Sequence, residues 1–186
     1  MKQIRSFTGN RTDFIKMAGV GLGVAVLNPA GALRAQELVH PKGFSISTNQ
    51  VLNVGDYLAS LNGKFWAIMQ DDGNFCLYEG SSTNARRYLW GSIQAASPWK
   101  NGYVSDRNHR YFAVMQSDGN FCVYQGTPQR KLYRWGSIQA AGYQSIQGNY
   151  AASLNDDGNF CVYKLMPPGV ASSLLFSTNT ASASRT

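Results

Sequence analysis

Histidine is almost absent from this 186-residue chain, which contains only His40 and His109. Neither lies in the repeated segments described below, so metal ligation, which needs a cluster of Cys or His neighbours, is not expected, and no cofactor is implied. No Ser or Cys nucleophile has a histidine base in a matching repeat, which argues against a nucleophilic enzyme. A sustained 3.6-residue period is also missing from the repeats, where Gly, Asn and Ser cluster between short apolar runs, so helices are not expected there. The uncharged stretch from Met17 to Leu33 is broken by Gly19, Gly21, Gly23, Pro29 and Gly31 and makes a poor membrane span. No linker divides the roughly 150 residues that follow, enough for one domain with a real core.

What is present is one nine-residue phrase in three copies: Gln70-Asp-Asp-Gly-Asn-Phe-Cys-Leu-Tyr78, Gln116-Ser-Asp-Gly-Asn-Phe-Cys-Val-Tyr124 and Asn155-Asp-Asp-Gly-Asn-Phe-Cys-Val-Tyr163. A second phrase marks the same period. Leu89-Trp-Gly-Ser-Ile-Gln-Ala-Ala96 recurs as Arg134-Trp-Gly-Ser-Ile-Gln-Ala-Ala141, with Leu175-Phe-Ser-Thr-Asn-Thr180 as a weaker third copy. Before each motif runs an apolar and aromatic segment (64–69, 110–115 and 149–154), then a turn at Asp-Gly-Asn, so the chain reads as hairpin after hairpin. Strand alternation puts Gln70, Asp72, Asn74, Cys76 and Tyr78 on one face and Phe75 and Leu77 on the other. Polar groups recurring at about 7 Å along that face suit a polyhydroxylated ligand. The class is all-β, and three similar units imply pseudo-threefold symmetry, with Trp90, Trp135 and Phe176 expected in a common centre.

With Val in place of Cys, this pattern is the mannose-binding signature of the bulb-type (monocot, snowdrop-type) lectins, and residues 43–180 resemble that family in what looks like a secreted, bacterial-type form. The resemblance implies a β-prism II: three four-stranded antiparallel sheets about a pseudo-threefold axis, each with a shallow sugar site. It assigns Asp72 and Asn74 to the sugar 2-hydroxyl, Gln70 to the 3-hydroxyl and Tyr78 to the 4-hydroxyl. The same roles fall on Gln116, Asp118, Asn120 and Tyr124, and on Asp157, Asn159 and Tyr163. Cys76, Cys122 and Cys161 replace the Val that packs against the sugar ring, a small apolar substitute that keeps most of the contact. Asn155 stands where Gln is expected, one methylene shorter, so the third site is expected to be the weakest. A homodimer formed by exchange of C-terminal strands is a further implication, with Leu174 to Thr178 as the candidate strand.

The three cysteines sit at one position of three different units and should point out from three sheets, too far apart to bridge, so free thiols are expected. Plant relatives form a disulfide through a Cys at the position of Gly73, which is Gly in all three units here. Residues 1–35 combine a basic start (Lys2, Arg5, Arg11, Lys16) with the uncharged stretch and small residues, the pattern of a cleaved export signal, which places the protein outside the cell or in a periplasm. Its removal leaves 12 basic and 9 acidic residues, a net charge of +3. The scattered basic residues, including Arg86-Arg87 and Arg130-Lys131 in expected loops, form no nucleic-acid platform. The pairs Asp71-Asp72 and Asp156-Asp157 suggest a glycosidase, but neighbours on a strand face opposite ways and Ser117 breaks the second pair. The reading is therefore a lectin domain over 36–180 and a polar tail over 181–186, binding mannose-containing glycans or surface polysaccharide without catalysis. A lectin-like antibacterial protein and a prism with silent sugar sites are the alternatives.

Overall fold

A computed structural model describes residues 40–96 and 104–181, so the expected export signal and the tail beyond residue 181 lie outside the described residues. Four short strands precede the repeats: β1 (His40–Pro41), β2 (Ser45–Ser47), β3 (Val51–Asn53) and β4 (Asp56–Ala59). The first repeat supplies β5 (Phe65–Met69), β6 (Phe75–Ser81) and β7 (Asn84–Gly91), then a single helical turn, α1 (Ser92–Ala95). The second supplies β8 (Tyr111–Met115), β9 (Phe121–Thr127), β10 (Arg130–Gly136) and α2 (Ser137–Ala141), and the third β11 (Tyr150–Leu154), β12 (Phe160–Lys164) and β13 (Ser173–Ser177).

These strands form three antiparallel sheets, ordered β4-β5-β6-β7, β3-β8-β9-β10 and β2-β11-β12-β13, with β1 added in parallel to the edge of the first. This is the β-prism II architecture. Each repeat holds only three strands, and the fourth comes from the run 45–59, which crosses all three sheets in succession. The reason lies in side-chain volume. Leu58, Leu52 and Ile46 on those fourth strands face Ala67, Ala113 and Ala152, small residues that leave room for them. The same rows continue through Leu77, Val123 and Val162 to Trp90, Trp135 and Phe176.

Those inner rows close around two aromatic layers. Phe75, Phe121 and Phe160, one from each motif, are fully buried with ring centroids 5.0, 5.0 and 4.8 Å apart. Below them Trp90, Trp135 and Phe176 meet at 5.2, 6.4 and 5.5 Å, as their shared position in the repeat implied. Tilted and edge-on ring pairs at such spacings add to the burial energy.

Adjacent units are tied at the motif glycine. Gly73, Gly119 and Gly158 have φ of +90°, +92° and +89°, and an added Cβ would lie 2.7, 3.0 and 2.7 Å from the rings of Tyr111, Tyr150 and Phe65. Each ring is the first residue of another unit's leading strand, so the glycine serves both a left-handed turn and a close ring approach.

The two helical turns correct the expectation of no helix in the repeats. Each is held at its start by a motif asparagine: Ile93 N–H donates to Asn74 Oδ1 and Ile138 N–H to Asn120 Oδ1, both at 3.0 Å. Buried Ser92 and Ser137 accept the N–H of Phe75 and Phe121 at 2.9 Å. Turns this short carry no helical period in the sequence.

Candidate functional site

The motif is a hairpin that turns at Asp-Gly-Asn, as its sequence implied, and this corrects only the placing of Gln70 and Asp72 on one alternating strand with Cys76 and Tyr78. Gln70 to Asn74 form the turn, closed by Gln70 N–H donating to the Asn74 carbonyl at 2.9 Å, and alternation holds from Phe75 onward. The fold nevertheless brings the five polar-face residues together. Gln70 returns across the hairpin, so that Gln70 Nε2 donates to the Tyr78 hydroxyl at 3.0 Å and the Cys76 thiol donates to Gln70 Oε1 at 2.9 Å. Asp72 Oδ1 accepts the Asn74 N–H at 3.0 Å, an Asx turn that fixes the carboxylate beside the asparagine.

The second unit repeats this arrangement. Cys122 donates to Gln116 Oε1 at 3.0 Å, Tyr124 donates to the same oxygen at 3.4 Å, and Asp118 Oδ1 accepts the Asn120 N–H at 3.0 Å. In the third unit Asn155 Nδ2 still reaches the Tyr163 hydroxyl at 3.1 Å and the Cys161 sulfur at 3.5 Å despite the lost methylene. Asp157 Oδ1 accepts the Asn159 N–H at 2.9 Å. All fifteen residues singled out from the sequence thus gather as three like constellations, one on each sheet.

Motif asparagines face two ways chemically. The carbonyl oxygen is spent on the fold, since besides Ile93 N–H, Asn74 Oδ1 accepts the Ser92 hydroxyl at 3.2 Å, and Asn159 Oδ1 accepts the N–H of Thr180 and Ala181 at 2.8 and 3.1 Å. The amide NH2 lies beside the motif carboxylate, donating at 3.4 Å to Gln94 Oε1 from Asn74 and at 3.3 Å to Asp157 Oδ2 from Asn159. A donor and an acceptor side by side match one hydroxyl group, which both gives and receives a hydrogen bond.

The neighbouring carboxylates are engaged elsewhere. Asp71 pairs with Arg107 at 2.9 Å, and Asp156 Oδ1 accepts the Asn62 N–H at 2.8 Å. Each constellation therefore keeps one carboxylate. Arg86 and Arg87 lie on β7 rather than in a loop, with Arg87 paired to Glu79 at 2.8 Å, and Arg130 and Lys131 open β10, the Lys131 ammonium 4.8 Å from the Tyr124 ring centroid. These hairpins run further than their composition indicated. His109 is exposed in a bend and sits 2.6 Å from Asp106.

Outer-face aromatics frame the first two constellations. Tyr57, Trp66, Tyr78 and Tyr88 run across the first sheet, with Trp66 and Tyr78 stacked at 5.1 Å. Phe112, Tyr124 and Tyr133 do so on the second, Phe112 and Tyr124 stacked at 5.4 Å. Alignment of the motifs alone misses Tyr88, Tyr133, Gln94 and Gln139. Their signal was nonetheless present: each Tyr stands two residues before a Trp, and each Gln closes the Trp-Gly-Ser-Ile-Gln phrase that the third unit lacks.

The thiols are free and buried, as their separation on three sheets implied. Burial pushes Cys76 and Cys122 from an ordinary 9.0 up to about 12, and the charges of Asp72 and Asp118 act in the same direction. Burial likewise raises Tyr124 from 10.0 to about 12. In the unfolded chain these groups ionise near their ordinary values, so the stability that their neutral burial contributes is complete below about pH 9 and is lost as pH climbs toward 12. Urea midpoints are expected to fall steadily between pH 9 and 11. At pH 8 an aromatic disulfide reagent should leave the native thiols unmodified and titrate all three cysteines in urea.

Three four-stranded antiparallel sheets, each presenting one such constellation outward, constitute a prism of the bulb-lectin type. No protein-family model matches the sequence, and no curated protein matches it. Among solved structures the chain is similar to the Japanese Marasmius oreades lectin, with 27% identity and a TM-score of 0.54 over 76% of this chain and 95% of that one. It is also similar to a monomeric monocot mannose-binding lectin from Gastrodia elata, with 26% identity and a TM-score of 0.51 over 74% of this chain and 98% of that one.

Proposed function

We propose that the chain is a lectin that binds mannose-type glycans through its three motif constellations and acts by recognition rather than catalysis. The observation that carries this reading is the side-by-side Asp carboxylate and Asn amide in every unit, with a Gln or Asn amide and a Tyr hydroxyl on the other side of a small apolar Cys. That set offers partners to a vicinal row of hydroxyls. Similarity to the Gastrodia elata structure, itself described as mannose-binding, supports the choice of sugar. A single carboxylate per site, with Asp71 and Asp156 turned to other partners, leaves no acid and base pair of the kind glycoside hydrolysis uses. The basic, uncharged and small-residue pattern of residues 1–35 supports export to the cell exterior or a periplasm.

A shallow site with a few hydrogen bonds binds a monosaccharide weakly, with Kd of about 1 mM. Three sites on one body act together on a clustered glycan, raising avidity by on the order of a hundredfold where spacing allows. Calorimetric titration with methyl mannoside and with a branched high-mannose glycan tests this. Millimolar binding to the first, much tighter binding to the second and loss of both in a triple Asp72→Ala, Asp118→Ala, Asp157→Ala variant are expected. Equal affinity for the two ligands would remove the multivalent reading, and no binding to either would remove the lectin reading.

A further inference from the structure

The third motif site differs from the first two in residues that lie outside the nine-residue phrase. Strands β7 and β10 each carry a bulge, so Tyr88 opposes Tyr78 and Tyr133 opposes Tyr124, while Trp90 and Trp135 oppose Leu77 and Val123. Bulges of this kind re-aim the side chain beside them. Tyr88 leans over Gly91 and donates its hydroxyl proton to Gln94 Oε1 at 2.7 Å. Tyr133 leans over Gly136 in the same way and donates to Gln139 Oε1. A Cβ on Gly136 would lie 2.6 Å from both the Tyr133 hydroxyl and Asn120 Oδ1, so glycine is required where the phenol meets the motif asparagine. The third unit also has a bulge, but with Leu174, Ser177 and Thr180 at the corresponding positions. Where the phenol is missing, so is the glycine.

These phenols change what the motif can offer. In the first unit Asn74 donates Nδ2 to Gln94 Oε1 at 3.4 Å, the same oxygen that accepts the Tyr88 hydroxyl, while Asn74 Oδ1 already serves α1. Asp72 Oδ2 accepts the Ser105 hydroxyl at 2.8 Å. In the second unit the Tyr133 hydroxyl and the Asn120 amide crowd the same point above Gly136, and Asp118 Oδ2 accepts the Ser145 hydroxyl at 3.4 Å. The third unit is different. Asp157 is exposed, its Oδ2 accepts only Asn159 Nδ2 of its own motif at 3.3 Å, and among the described residues no hydroxyl from outside the motif reaches that carboxylate.

We propose that protein hydroxyls stand in for sugar hydroxyls at the first two sites, Tyr88 with Ser105 and Tyr133 with Ser145, leaving the Asp157–Asn159 site as the one that ligand enters without displacing a hydroxyl from outside the motif. This rests on the sugar-binding reading above and adds an order of occupancy to it. Ligand entering the first two sites has to displace a phenol and a serine from the Asp–Asn corner, exchanging hydrogen bonds already made for new ones. Ligand entering the third site meets only the motif's own Asp157–Asn159 hydrogen bond and, among the described residues, displaces no hydroxyl from outside the motif. The order is the reverse of the one expected from Asn155 standing in place of Gln, and Asn155 does reach Tyr163.

Titration of the 15N-labelled full chain with methyl mannoside, read by amide shifts, tests the order. Amides of 155–163 are expected to move at the lowest sugar concentration, and Asp157→Ala to abolish that first event while Asp72→Ala and Asp118→Ala leave it in place. The double variant Tyr88→Phe, Tyr133→Phe removes the two hydroxyls and keeps the rings edge-on against Tyr78 and Tyr124. It should tighten the first two sites by about tenfold, the equivalent of one hydrogen bond each. First movement in 70–78 or 116–124, simultaneous movement in all three units, or weaker binding in the double variant would overturn the proposal while leaving the lectin reading intact. Silence of every motif amide, in wild type and variants alike, would overturn both.

Discussion

Phe121→Ala is expected to lower the free energy of unfolding by about 3–5 kcal/mol, the range for removing a buried phenylalanine. Phe121 has no exposed surface and packs against the rings of Phe75 at 5.0 Å, Phe160 at 4.8 Å and Trp135 at 6.4 Å, so its loss opens a void in one of the two layers where all three sheets meet. The void cannot close by a local shift, because its walls are the backbones of three sheets held in register. Domains of this size are stable by about 5–15 kcal/mol in total, so the substitution removes a large fraction of the margin. Chemical denaturation checks it. A midpoint shift worth less than about 1 kcal/mol would mean that the central layer tolerates collapse.

Gly158→Ala carries the second large effect. Its φ of +89° costs a residue with a Cβ about 1–3 kcal/mol in backbone strain, and the new methyl would lie 2.7 Å from the Phe65 ring, which adds about 1–3 kcal/mol of overpacking. Gly63 is the internal control. It also has positive φ, at +67°, but nothing lies within 4 Å of its would-be Cβ, so Gly63→Ala should show the strain without the clash. Denaturation of the two variants side by side separates the terms. Equal losses would show that the ring contact between units contributes nothing.

Much of this fold was legible because it is written three times. The all-β class, the threefold arrangement, the meeting of Trp90, Trp135 and Phe176 and the five polar positions of each motif all follow from aligning the chain with itself. What escaped has physical reasons. Strands β2 and β3 are three residues long, too short for alternation to register, although Ile46, Leu52 and Leu58 recur six residues apart and each faces an alanine. The helical turns follow from Asn74 and Asn120 capping across the sheet, a tertiary contact with no local periodicity. Gln70 and Asp72 reach the site through the hairpin rather than along a strand, so the right residues were chosen on a simpler geometry. Tyr88 and Tyr133 were overlooked because the bulge that aims them depends on strand pairing, which composition does not encode.

The run 45–59 gives the chain an unusual order of assembly. β2 is made early in synthesis yet finds its place only when β11 emerges, 102 residues or so later, as the Thr48–Tyr150 contact illustrates. Such long-range pairing carries a high loop-closure cost and slows folding relative to helical domains of the same length. It also distinguishes this molecule from solenoids, whose repeats contact only their neighbours and can be added or deleted singly. Cutting away the last repeat here would strand β2 and open the central aromatic layers, so the three units should gain and lose structure in a single step. Topology thus sets how many motif faces the protein presents: one folded chain comes with all three Asp–Asn constellations or with none.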